Sequence, residues 1–160
     1  MPERREERTT EGGLDVRAQR AAVERAVAMA QRVGIKVSLF IAPDPSAIDA
    51  SAEVGAAQVE LHTGPYCHAC EQGSAAALRA EELRRLQEAT ARARRSGLEV
   101  AAGHGLTRHN VGPVVAIDGV DEVNIGHSVV ADAVLFGLER AVRDLRDAIA
   151  RGAAARLRVR

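Results

Sequence analysis

The sequence predicts a single α/β domain of about four strand–helix units with parallel strands, and three observations carry that expectation. Short apolar runs of strand length alternate with longer segments of helical period, the pattern left by consecutive parallel crossovers. Glycine or proline marks many of the junctions between them. Two of the apolar runs end in Gly-His, at Val100-Ala-Ala-Gly-His-Gly-Leu-Thr-Arg-His-Asn110 and at Val123-Asn-Ile-Gly-His-Ser128. In parallel α/β proteins the residues just past the carboxyl ends of strands converge on one face, and the site is built there.

The elements follow in order. Met1 to Arg8 is a run of charges, expected to be frayed and solvated. Thr9 to Asp15 reads as a loop with Gly12 and Gly13, and Asp15 is a good N-cap. Val16, Val23, Val27 and Ala30 then recur at helical spacing up to about Val33, and Gly34 closes the helix. Ile35 to Ile41 is the first strand; Pro43, Asp44 and Pro45 break it and open a short helix reaching Val54 and Gly55. Gln58 to His62 is the second strand, followed by an expected loop from Thr63 to about Ser74. Ala75 to Ser96 is a long helix rich in alanine and arginine, stopped by Gly97. Leu98 to Ala102 is the third strand, Asn110 to Ile117 a short helix containing Pro113, and Glu122 to Ile125 the fourth strand. Ser128 to about Arg151 is expected as one closing helix with Val134, Leu138, Val142, Leu145 and Ile149 on its buried stripe. The basic tail from Ala153 to Arg160 is expected to fray. The strands are near-continuous in apolar character, as suits a sheet covered by helices. An open sheet and part of a β/α barrel both fit, but four strands cannot close a barrel of eight, which leaves exposed edges.

Bulk properties narrow the function. At 160 residues, 46% of them hydrophobic, the chain is long enough for one domain with a real core. Its formal net charge of zero gives no footprint for nucleic acid or an anionic membrane. No apolar run approaches the roughly 18 residues of a membrane span, and the charged amino terminus is unlike a signal peptide. Two cysteines without a sign of export point to a reducing, cytoplasmic setting. With aromatics at 2%, a ligand would be gripped by backbone amides and charges more than by stacking.

The two Gly-His strand ends form a candidate phosphate cradle with a titratable group beside it. Glycine lets backbone N–H groups approach a ligand, and a helix that starts just afterwards directs its positive end there. His104 is a candidate proton donor; a histidine capping a strand end against backbone carbonyls is the competing reading. Glu60 alternates with Val59 and Leu61, so it faces either a barrel interior or solvent, with His62 on the same face as a possible acid/base companion. Cys67-His-Ala-Cys70 has the spacing of a metal or redox pair, but no second pair completes a zinc site, and a loop is expected between it and the strand. Arg84, Arg85, Arg92, Arg94 and Arg95 are interleaved with Glu81, Glu82 and Glu88, the pattern of a solvated helix face.

Five segments together carry a family resemblance: Thr9-Thr-Glu-Gly-Gly-Leu-Asp-Val16, Val37-Ser-Leu-Phe-Ile41, Val59-Glu-Leu-His-Thr-Gly64, Ala102-Gly-His-Gly-Leu-Thr107 with His109 and Asn110, and Val123-Asn-Ile-Gly-His127. In order and spacing they resemble pyridoxine 5'-phosphate synthase from Pro2 to about Arg151. The resemblance implies a TIM-barrel enzyme of vitamin B6 synthesis that condenses 3-amino-2-oxopropyl phosphate with 1-deoxy-D-xylulose 5-phosphate. Pyridoxine 5'-phosphate, inorganic phosphate and water are the products, and the implied enzyme is a homo-oligomer needing no metal or organic cofactor. By the same resemblance His104 corresponds to the proton donor and Glu60 to the transition-state stabiliser. Gly105, Gly126 and His127 correspond to residues that bind the amino-ketone phosphate, and Thr9 to a contact with the pentulose phosphate. The family's amino-terminal strands, with their proton-abstracting bases and substrate-gripping arginines, have no counterpart here. The chain is therefore expected to be the carboxyl-terminal half of such an enzyme, truncated and inactive alone. Two alternatives accompany that reading: a non-catalytic half-barrel that binds phosphorylated metabolites or a partner chain, and a metal or redox protein built on Cys67 and Cys70.

Overall fold

The computed structural model describes residues 12–71 and 76–156. Thr9, the charged amino-terminal run and residues 157–160 lie outside the described residues. Strands β1 (Ser38–Ile41), β2 (Gln58–His62), β3 (Glu99–Gly103) and β4 (Glu122–Asn124) form one sheet in the order β1-β2-β3-β4. Every neighbouring pair is parallel, so each connection is a crossover. The crossovers carry α2 (Pro45–Glu53), then α3 (Gly64–Glu71) with α4 (Ala76–Arg95), then α5 (Val111–Val115). Helix α1 (Arg20–Arg32) precedes the sheet; α6 (His127–Phe136) and α7 (Leu138–Arg156) follow it.

Burial alternates along β1 and the first four residues of β2, whereas β3 is buried continuously from Val100 to Gly103. Leu39, Ile41, Val59, Leu61, Val100 and Ala102 lie on one face of the sheet and join Val27, Ile48, Leu86, Ala93, Val111 and Val114 from the helices in one core. The ladder matches Val59 with Val100 and Leu61 with Ala102, so this face is apolar across strands. The opposite face carries Phe40, Glu60, Gly103 and Asn124 in adjacent positions, through the pairs Phe40–Glu60 and Gly103–Asn124. The sequence expectation of near-continuous apolar strands therefore holds for β3, while β1 and β2 give the sheet an apolar face and a more polar one. Within the chain, β1 and β4 are the edges of the described sheet.

Local chemistry explains most boundaries. Asp44 caps α2, accepting from the amides of Ser46 at 2.9 Å and Ala47 at 3.2 Å, while Pro45 opens the helix. Arg92 of α4 clasps Asp49 of α2 with two bonds of 2.7 and 2.5 Å, which holds neighbouring crossover helices together. Asp15 accepts from Ala18 N at 3.0 Å, but that turn only leads toward α1, which starts at Arg20. Arg84 pairs with Glu81 and Glu88, and Arg94 with Asp121, so these arginines of α4 are matched by carboxylates.

Two boundaries differ from the sequence expectation. The expected closing helix is broken at Gly137, whose φ of 83° ends α6 and lets α7 leave in a new direction. Val134, Leu138 and Val142 of the expected stripe are exposed, whereas Leu145 and Ile149 pack partly buried against the core beside the buried Ala141, Ala148 and Gly152. A Cβ on Gly152 would overlap Val115 Cγ2 and Gly112 O, so α5 and α7 meet at a glycine contact. Helix α7 also continues beyond Arg151 to Arg156, whose guanidinium donates to Val115 O at 2.5 Å and Val120 O at 2.9 Å. The segment after β2 is the second difference. It is helical from Gly64 and not a loop, because Thr63 O accepts from Cys67 N at 2.9 Å and Pro65 is preset for the first turn.

Two stability predictions follow from these contacts. The Ser46 side chain, aided by the amides of Ala47 and Ser46 against the opposing effect of burial, holds the Asp44 carboxyl below its ordinary value. Its contribution is thus present above the unfolded value and lost as pH falls through the lower folded one. Asp44→Ala should cost about 1 kcal/mol near neutral pH, with the difference from wild type closing below about pH 4, as read by urea unfolding across pH. Gly152→Val should overpack the α5–α7 contact and cost about 1–3 kcal/mol, read as a lowered Tm.

Candidate active site

The carboxyl ends of the strands and the loops beyond them enclose a cavity of about 650 Å³. Its floor is Phe40, Glu60 and Asn124 from three strands, and its walls are the turn from His104 to Thr107 and the start of α6. Residues that the sequence places in two separate Gly-His motifs thus face one space, together with Glu60.

Glu60 is half-buried on the polar face of β2, and its Oε2 accepts from Asn124 Nδ2 at 2.8 Å. A Cβ at position 103 would overlap its other oxygen, Oε1, so Gly103 supplies the room in which the carboxylate stands. His62 shares that face, as expected, but its ring packs beside two other rings. Its centroid lies 4.8 Å from that of His104 and 5.3 Å from that of Phe40, the latter edge-on. The Glu60–Asn124 bond and the His62–His104 contact are therefore separate features, and His62 lies buried outside the cavity lining.

His104 is the one non-glycine residue with positive φ among the described residues, at 80°. Such a backbone costs free energy unless its surroundings hold it, and these positions gather at functional sites. Here Thr63 does the holding: its fully buried hydroxyl lies 2.7 Å from Gly103 O and 2.6 Å from His104 O, sharing its proton between the two carbonyls. The turn sends the exposed His104 side chain to the cavity, where a strand-end cap would have folded it back on carbonyls. Gly105 follows at φ 79°, close enough to α3 that a Cβ there would stand 3.0 Å from Cys67 Cβ.

The opposite wall is the amino terminus of α6. Gly126 is its N-cap and His127 its first residue, and nothing lies within 4 Å of where a Gly126 Cβ would be. The amides of a helix's first turn have no intrahelical acceptor, so this end of α6 offers N–H groups and a positive dipole to an anion in the cavity. The two walls are tied together. Ser128 Oγ donates to Leu106 O at 2.7 Å, and Arg108 pairs with Asp132 at 3.0 Å in a partly buried ion pair. Arg108 also lies over the Phe136 ring, 5.5 Å from its centroid.

Of the residues singled out in the sequence, His104, Glu60, Gly105, Gly126 and His127 all line the cavity. Thr9 lies outside the described residues; Leu14 N donates to Phe40 O at 2.7 Å, which brings Leu14 itself to the end of β1. Sequence reasoning missed Phe40, Thr63, Asn124 and the Arg108–Asp132 pair. Phe40 and Asn124 were findable in principle from the strand alternation that selected Glu60; the hydrogen bonds of Thr63 and Arg108 join residues far apart in the chain and leave no local signal.

Comparison with known proteins shows the family of the chain. Residues 1–151 match the family described as "Pyridoxal phosphate biosynthesis protein PdxJ". The chain belongs to the PdxJ family. A protein from Synechococcus sp. (strain JA-2-3B'a(2-13)) named pyridoxine 5'-phosphate synthase is 56% identical over 149 residues, covering 93% of this chain and 61% of its own length. Proteins of the same name from Prochlorococcus marinus (strain MIT 9303) and Syntrophotalea carbinolica are 51% and 46% identical, covering 91% and 93% of this chain and 58% and 61% of theirs. The chain thus spans about three-fifths of the length of these relatives. PdxJ is a TIM-barrel family, and the four-stranded parallel sheet with its flanking helices has the layering of part of such a wall. Among the described residues no helix is long and apolar enough to cross a membrane.

The role of Gly103 is open to direct test. Gly103→Ala should displace the Glu60 carboxylate and break its bond to Asn124. The Asn124 side-chain amide resonances should move, at a stability cost of about 1–3 kcal/mol for the added methyl. Unmoved Asn124 resonances would show that the carboxylate does not depend on that space.

Proposed function

We propose that this site serves pyridoxine 5'-phosphate synthesis, the condensation of 3-amino-2-oxopropyl phosphate with 1-deoxy-D-xylulose 5-phosphate to pyridoxine 5'-phosphate, inorganic phosphate and water. The observation that carries the reading is the convergence of a histidine on a held left-handed turn, a carboxylate fixed by Asn124, and a helix amino terminus on one cavity. Its other support is membership of a family whose members here carry the name of that activity.

Each group has a role suited to its surroundings. The amides about Gly105, Gly126 and His127 bind the phosphate of the amino ketone, with the α6 dipole favouring its negative charge. His104, exposed to the cavity on a turn that cannot easily relax, donates a proton to a departing or carbonyl oxygen. Glu60 stabilises positive charge that develops on the amine-bearing carbon skeleton, and Asn124 fixes which oxygen faces the substrate. Thr9 contacts the pentulose phosphate. A cytoplasmic homo-oligomer is the setting of this reading, and the exposed apolar side chains of Val134, Leu135 and Leu138 support association.

The proton-abstracting bases of the reaction have no counterpart among these residues, and each missing catalytic group commonly costs about 10²–10⁴ in rate. The 160-residue chain should therefore bind phosphate but turn over negligibly when given both substrates. Inorganic phosphate should shift the amide resonances of Gly105, Gly126 and His127. Any product that does accumulate should vanish in His104→Ala. If neither phosphate nor the two substrates move those amides, the site is wrongly assigned.

A further inference from the structure

The Cys67–Cys70 pair is not absorbed by the proposed reaction, and its surroundings give it a use. Sequence spacing places a loop between the pair and β2, which argues against redox chemistry. In the structure that loop is α3, which starts two residues after β2 ends and carries both cysteines on consecutive turns. Neither is in a disulfide. Cys67 is buried at 3% exposure, and its Sγ lies 3.6 Å from His104 O and 3.9 Å from Thr63 Oγ1. The Gly105 backbone rests directly on it, since a Cβ there would stand 3.0 Å from Cys67 Cβ and 3.3 Å from Sγ. Cys70 is half-buried, one turn beyond Tyr66, whose hydroxyl donates to Asn110 O at 2.9 Å.

We propose that Cys67 and Cys70 form a thiol-oxidation site that closes an intrachain disulfide and thereby displaces the His104–Gly105 turn. A hydroperoxide is the oxidant. The Cys70 sulfur, the more accessible of the two, attacks the peroxide oxygen; the O–O bond breaks, water or an alcohol leaves, and a sulfenic acid remains. The Cys67 thiol then attacks that sulfur, loses its proton and expels water, which completes a two-electron oxidation of two thiols to one disulfide. A dithiol reductant reverses it.

The coupling to the site is geometric. Residues i and i+3 of an α-helix hold their Cβ atoms about 5–6 Å apart, whereas a disulfide needs about 3.5–4.5 Å. Closure must bring the two Cβ atoms about 1–2 Å closer, tightening the turn that holds Cys67 toward 3₁₀ geometry, in which i and i+3 eclipse. Cys67 is the platform under Gly105 and borders the carbonyl of His104, so the movement reaches the turn that aims the histidine. Thr63, whose hydroxyl holds that turn, also supplies the carbonyl that starts α3.

The test treats the chain with hydrogen peroxide and follows it by intact mass, peptide mapping after alkylation, and amide NMR. Wild type should lose about 2 Da as a monomer, with Cys67 joined to Cys70, and the Gly105 amide and His104 ring resonances should move and return on adding dithiothreitol. Cys70→Ser, a change at a half-buried position outside the cavity lining, should keep its starting spectrum and show no such movement at Gly105. Two thiols that still alkylate after peroxide, a disulfide joining two chains, or a closed Cys67–Cys70 bond with an unmoved Gly105 amide would each overturn the proposal. None of these readouts needs turnover, so they stand apart from the test of the proposed reaction.

Discussion

The register between β2 and β3 is the constraint on which the rest of the molecule depends. Pairing Val59 with Val100 and Leu61 with Ala102 sends four apolar side chains to the helices together. The same pairing sets Glu60 and His62 on the opposite face beside Ala101 and Gly103, two positions small enough to leave space above them. A slip of one residue would turn the carboxylate into the core and the valines toward the cavity. A buried carboxylate without a partner is costly enough that the chain has a single acceptable alignment. Core and site are therefore two faces of one ladder.

At the end of that ladder the chain leaves the strand through a conformation that an ordinary residue avoids. The strain at His104 is tolerated because Thr63, one residue beyond β2, holds the carbonyls of both Gly103 and His104. Thr63 is anchored by the start of α3, and α3 in turn packs Cys67 beneath Gly105. The site turn is thus braced from below by the neighbouring unit and from the far side by Ser128 and by the Arg108–Asp132 pair. The backbone that carries the His104 imidazole is thus fixed from two sides, which is how a scaffold supplies orientation.

The sequence made the strand–helix alternation legible, because apolar period and glycine punctuation are local signals. β2 falls at the residues expected, and the two Gly-His motifs meet at one cavity as strand-end logic requires. What stayed hidden has a common physical cause. Helix α3 was obscured because Gly64 and Pro65 read as breakers, although a glycine and a proline in a first turn interrupt no backbone bond. The division at Gly137 was obscured for the opposite reason: the apolar period runs through it, and only the backbone angle reveals the break. Of the expected stripe of α7, Leu145 and Ile149 do pack against the core, but its most buried positions are two alanines and a glycine, whose small size carries little hydropathy signal but permits close approach to α5. Asn124 and Thr63 act through partners 64 and about 40 residues away, which no window along the chain can register.

The strand order also bears on how the chain reaches this state. Because β1, β2, β3 and β4 are adjacent in space in the order in which they occur along the chain, each strand meets a template made only of earlier residues. A growing polypeptide can add one unit at a time without waiting for its carboxyl terminus, and no strand has to be threaded between two already joined. The last ladder is the shortest, with β4 contributing three residues, Glu122–Asn124. The cavity wall made by α6 therefore follows the least extensive pairing, so during synthesis His104 and Glu60 precede the helix amino terminus that faces them.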